Sequence, residues 1–112
     1  MEEIAETMAA GREFPDSPSG VDPRRIERLL NSMANDKMPL VLEEVGDNGK
    51  FGIYALLRLP NGDFLGVNDG GFEMGVSLVE HNTGKRSLYY MFCTSYEAYE
   101  KVKFIVEGSM AA

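Results

Sequence analysis

Between Met38 and Ser95 short apolar segments alternate with clusters of turn-forming residues, and this punctuation constrains the fold more than any other feature. The clusters are Gly46-Asp47-Asn48-Gly49, Pro60-Asn61-Gly62-Asp63, Asn68-Asp69-Gly70-Gly71 and Asn82-Thr83-Gly84. Asn, Asp and Gly tolerate the positive φ angles that tight hairpin turns demand. The segments they separate are Leu40 to Val45, Phe51 to Leu59, Phe64 to Val67, Phe72 to His81 and Ser87 to Cys93. Each has the length of a strand. Strands joined by such short turns must be antiparallel neighbours, because parallel pairing needs a long crossover. The spacing therefore predicts a five-stranded antiparallel meander.

Helical signals lie on either side. Asp22-Pro23 opens a segment in which Ile26, Leu29, Leu30 and Met33 form one apolar stripe, ending near Asn35 or Asp36. After the last strand, Thr94 and Glu97 have the spacing of a capping box. Tyr99, Val102, Ile105 and Val106 give a second stripe, Gly108 is the expected stop, and Ser109 to Ala112 a frayed tail. A first, short helix is predicted over Glu2 to Ala10. The prolines at 15 and 18 make Arg12 to Val21 an irregular linker. The expected whole is one α+β domain over residues 1–112, two N-terminal helices, five strands and one C-terminal helix, with residues 1–21 as its movable part.

Side chains alternate across a strand, so the faces of the sheet can be read. One carries Phe51, Ile53, Ala55, Leu57 and Leu59, then Phe72, Met74, Val76 and Leu78, then Leu88, Tyr90 and Phe92. It is wholly apolar and is the expected core. The other is mixed, and Tyr54, Leu56, Val79, Tyr89 and Met91 gather on it as an apolar patch. A solvated antiparallel face would show charged residues and threonine there. The first helix or the Pro-rich loop, a second copy of the chain, or a ligand or foreign partner would each cover it. Arg24, Arg25 and Arg28 add a basic strip on the helix after Asp22. Arginine forks bind carboxylates or phosphates in two-point fashion, although pairing with the chain's own acids is the simpler use.

Charge narrows the partners. With 18 acidic and 11 basic side chains, the formal net charge is -7. Such a surface repels phosphate backbones, so neither nucleic acid nor an anionic membrane is expected, and a basic protein partner is. No apolar run reaches membrane-spanning length. The glutamates among residues 1 to 20 break the pattern of a signal peptide, which makes the cytoplasm the default location. The single cysteine, Cys93, has no internal disulfide partner and is expected as a small buried hydrophobe.

No catalytic, metal or cofactor pattern stands out. His81 is the only histidine and has no companion at ligand spacing. The glycines from Gly66 to Gly75 lack the Gly-Lys-Ser/Thr ending of a phosphate loop and the spacing of a calcium loop. Their simplest role is to allow bulges or close packing. Adjacent Glu43 and Glu44 point to opposite faces of a strand and cannot share a proton. The reading that follows is a small, non-enzymatic protein-binding module of the adaptor, inhibitor, immunity or chaperone-like kind. It would act through a sheet face and helix edges, as a homodimer. The partner-binding residues would be Tyr54, Leu56, Val79, Tyr89, Met91, Arg24, Arg25 and Arg28. Two alternatives stand beside it. One is a small-molecule sensor or enzyme with a pocket near Tyr54, Tyr89, His81 and the Gly66–Gly75 loop. The other is a structural subunit of a larger assembly.

Overall fold

A computed structural model describes residues 20–47, 49 and 52–110. The helix predicted over Glu2 to Ala10 and nearly all of the Pro-rich linker lie outside the described residues, as does Phe51. The described elements are α1 (Arg24–Asn35), β1 (Val41–Asp47), β2 (Ile53–Arg58), β3 (Phe64–Asp69), β4 (Met74–Val79), β5 (Arg86–Phe92) and α2 (Ser95–Met110). The strands form one antiparallel sheet in the order β1-β2-β3-β4-β5. This is the predicted meander. Among the described residues it carries two helices rather than three.

The turn chemistry sets each hairpin. Between β2 and β3, Asn61 Oδ1 accepts the Asp63 N–H, and Gly62, at φ +93°, donates its N–H to the Leu59 carbonyl. Between β3 and β4, Asp69 Oδ1 accepts the Gly71 N–H, while Gly70 N–H bonds the Glu73 carbonyl. Strand β4 consequently starts at Met74, two residues later than the periodicity suggests. Phe72, expected in the core, stands 93% exposed in the turn.

The helices are capped as their sequences imply. Asp22 Oδ1 accepts the Arg24 N–H at 3.0 Å to start α1. Its end is a Schellman motif: Met38 N–H reaches the Met33 carbonyl and Lys37 N–H the Ala34 carbonyl, with Lys37 left-handed at φ 53°. Thr94 Oγ1 accepts the Glu97 N–H at 3.2 Å and donates to Glu97 Oε1 at 3.0 Å, which opens α2. That helix runs through Gly108 to Met110, past the expected stop.

A single core joins both helices to one face of the sheet. Ile26, Leu29, Leu30 and Met33 of α1 and Ala98, Val102, Ile105 and Val106 of α2 meet Ile53, Ala55, Leu57, Leu65, Val67, Met74 and Val76. Asp69 is the one buried charged residue described, 2% exposed, and it is fully partnered. Arg25 grips its carboxylate through Nη2 at 2.6 Å and Nε at 3.1 Å, and also donates to the Gly71 carbonyl. This pair fastens α1 to the β3–β4 turn. The basic strip therefore serves internal pairing at Arg25 and, in solvent, at Arg24, which binds Asp22.

The edges of the sheet differ. β1 is acidic, carrying Glu43, Glu44 and Asp47, and its pairing with β2 slips by one residue between Leu42 and Glu44. Such bulges and charges blunt an edge. β5 also slips by one residue against β4, at Ser87, but it has its only charge at Arg86, and its residues are exposed or half-buried throughout. Leu88, Tyr90 and Phe92 were expected in the core, yet Leu88 is exposed and the two rings are only half-buried, because α2 does not reach fully over this edge. Cys93, just beyond β5, is exposed rather than buried.

Candidate functional site

The face of the sheet opposite the helices carries a shallow trough of about 320 Å³. Pairing registers show how it is built. One row across the sheet reads Gly46, Tyr54, Asn68, Gly75, Met91; the next reads Glu44, Leu56, Gly66, Ser77, Tyr89. Small residues on β3 and β4 form the floor, and larger side chains on β2 and β5 form the walls. Arg86 and Val79 close one end and Glu44 stands at the β1 side.

The floor cannot hold larger residues without rearrangement. A Cβ at Gly66 would lie 2.6 Å from Ser77 Oγ, and one at Gly75 would collide with Asn68 Oδ1 and approach Tyr89 Oη to 3.0 Å. The Tyr54 ring lies against Gly46 in the same manner. Aromatic rings laid over sheet glycines replace the packing that glycine lacks. The rings are fixed at their ends. Tyr54 Oη donates to Glu44 Oε2 at 2.9 Å, and this bond to a carboxylate pushes the Tyr54 phenol above its ordinary pKa. The Arg86 guanidinium sits 4.7 Å from the centre of the Tyr89 ring.

The structure thus brings four of the expected residues, Tyr54, Leu56, Val79 and Tyr89, to one site, and places Met91 beside them on the same face. It does not bring the arginines there. Arg24, Arg25 and Arg28 line a separate hollow of about 610 Å³ with Asp22, Asp69 and Gly71, on the helix side of the molecule. Two further hollows, of about 610 and 470 Å³, flank the contact between the helices and meet at Asp36 and Tyr99. His81 does not line the trough either. It faces the β2–β3 turn, where Nδ1 bonds Asp63 Oδ1 at 2.5 Å and the ring packs over Gly62. That bond, with the His81 N–H to the same oxygen, holds the Asp63 carboxyl below the usual carboxylate range.

Glu44, Ser77 and Arg86 line the trough and were not singled out for it from sequence; Gly66, which also lines it, was expected only as part of the Gly66–Gly75 loop of the small-molecule alternative, and Gly46 and Gly75 stand in the adjacent row. The usable signal was parity. Gly66 and Ser77 fall on the same face as Leu56 once the hairpin turns set the register. Among the described residues no three His, Cys, Asp or Glu side chains gather as metal ligands. No described helix is long and apolar enough to cross a membrane. No protein-family model, curated protein or solved structure matches this chain.

Proposed function

We propose that this chain is a small acidic protein-binding module that receives its partner on the open face of the sheet. The observation that supports this reading is the trough itself. Its floor of Gly66 and Ser77 is low, and its walls of Tyr54, Leu56 and Tyr89 offer apolar contact with polar ends. Aromatic side chains with a fixed polar tip are the residues that dominate protein interfaces, since they bury much area and lose little entropy. The occupant is an apolar side chain projected from a basic protein. The formal charge of -7 would steer such a protein toward the module, so that added salt slows association.

Leu56→Arg tests this. It drives a charged side chain into the trough from a half-buried position. A partner purified by capture on the wild-type chain should lose at least about tenfold in affinity for the variant, a loss of about 1.4 kcal/mol. Its association should slow with salt, and its binding should move the amide resonances of Leu56, Gly66, Ser77 and Tyr89. Salt-independent binding, or shifts confined to the helices, would exclude the reading.

One observation favours a second reading, a small-molecule receptor. The volume of the trough lies at the lower end of that of ligand pockets, which runs from about 300 to 1,000 Å³. A drug-sized ligand that raises the melting temperature of the wild-type chain, and not of Leu56→Arg, would favour it over the first.

A further inference from the structure

We propose that β5 is the pairing edge of a symmetric dimer, in which two copies of this chain join their sheets antiparallel, strand β5 to strand β5, about a two-fold axis at Tyr90. Three observations lead there. First, the edges are unequal. Both edge strands are bulged, β1 at Glu43 and β5 at Ser87, but β1 carries three acids, whereas Ser87 to Tyr96 is a run of ten residues without a charge and pairs regularly from Leu88 to Phe92. Long apolar edges are templates for strand addition, and proteins that remain single blunt them. Among the described residues no strand pairs with the outer side of β5.

Second, the strand is complementary to itself. Paired residues of an antiparallel ladder share a face, so the axis must pass through a residue and not between two. With the axis at Tyr90, Leu88 faces Phe92 of the other copy and Tyr90 faces Tyr90 on the helix side, while Tyr89 faces Met91 on the trough side. All these pairs are apolar, and the tyrosine–methionine pair adds a sulfur–aromatic contact. The charges also fit. Lys85 and Arg86 at the start of the strand arrive beside Thr94 and the first turn of the other copy's α2, which carries Glu97.

Third, α2 already presents an apolar side chain above the place where the new strand would lie. Lys101 packs 4.1 Å from the centre of the Tyr90 ring and 5.1 Å from that of Phe104, so Phe104 is on the β5 side of the helix. Phe104 is 70% exposed. A neighbouring strand about 4.8 Å from β5 brings its own Tyr90 and Leu88 beneath that ring.

The full chain tests the proposal directly. Sedimentation equilibrium should give about twice 12.4 kDa at micromolar concentration. Cys93 is the chain's single cysteine and is exposed, so it takes a nitroxide label without any substitution. In the Tyr90-centred pairing the two Cys93 positions lie six residues apart along the ladder, about 20 Å at the rise of an antiparallel strand. Leu88→Lys should raise the dimer dissociation constant at least tenfold. Should that variant fail to fold, Phe104→Glu, at an exposed position, should weaken the dimer in the same direction. Leu56→Arg should leave the dimer intact, which separates this proposal from the trough reading. A monomer across the concentration range, with or without protected amides in β5, overturns the proposal. So does a Cys93 distance far from 20 Å, or a dimer unaffected by both edge variants.

Discussion

Leu56 and Leu57 are neighbours in one strand and face opposite environments. Leu57 is fully buried between the sheet and the two helices, while Leu56 is half-buried at the wall of the trough. The helix-covered face is filled with branched and long aliphatic side chains; the open face is floored with glycine and serine and walled with tyrosine. The lesson is that a sheet can be apolar on both sides for different reasons. On one side apolar area drives folding. On the other, small residues allow rings to lie flat, and the result is a shape.

The sharpest way to break this contrast is to truncate the two leucines separately. Leu57→Ala should cost about 3 kcal/mol in urea unfolding, the usual range for a buried leucine, and Leu56→Ala less than about 1 kcal/mol. Equal losses would mean that the open face is core as well. Next in size is the ion pair that anchors the covered face. Arg25→Ala strands the Asp69 carboxylate at 2% exposure and should cost about 2–3 kcal/mol, reduced from the fully buried case because Arg25 is itself partly solvated. Arg24→Ala, which removes the solvent-exposed pair with Asp22, should leave the denaturation midpoint unchanged.

A smaller effect probes the floor of the trough. Gly75→Val must displace Asn68 and Tyr89, and should cost about 1–2 kcal/mol while abolishing partner binding. Gly108→Ala, at an exposed helical position with open space around it, should instead stabilise by up to about 1 kcal/mol. A last effect belongs to neither face. Asp63 is held below its ordinary value of 3.8, chiefly by the side-chain bond to His81. A depressed carboxyl stabilises the fold above its unfolded pKa and loses that contribution as the pH falls through the folded value. Asp63→Asn should flatten the acid limb of the stability profile and leave the trough contacts unchanged.

Much of this architecture is legible in the chain. The Asn, Asp and Gly clusters mark every hairpin, and the apolar stripes of α1 and α2 are where periodicity puts them. The misses share a cause. Phe72 continues the alternation of β4 on paper, but the Asp69–Gly71 turn takes it out of the strand. Leu88, Tyr90 and Phe92 have core parity, yet parity names a face and not how far a helix reaches across it. The same limit separated Arg25 from the tyrosines: α1 lies on the covered face, and only a tertiary contact with Asp69 reveals it. The glycine floor was present in the sequence as loop-like residues. It becomes a site only when adjacent hairpins are placed in register.

The unbroken order of the meander also has a kinetic consequence. Every strand pairs with its predecessor in the chain, so the sheet can zip hairpin by hairpin and close only short loops. The helices are different: α1 and α2 touch although all five strands separate them in the chain. Their contact, together with the clasp of Arg25 on Asp69, is the one closure that must wait for the rest. Mutations in the hairpin turns should therefore slow folding, whereas loss of the Arg25 clasp should chiefly hasten unfolding.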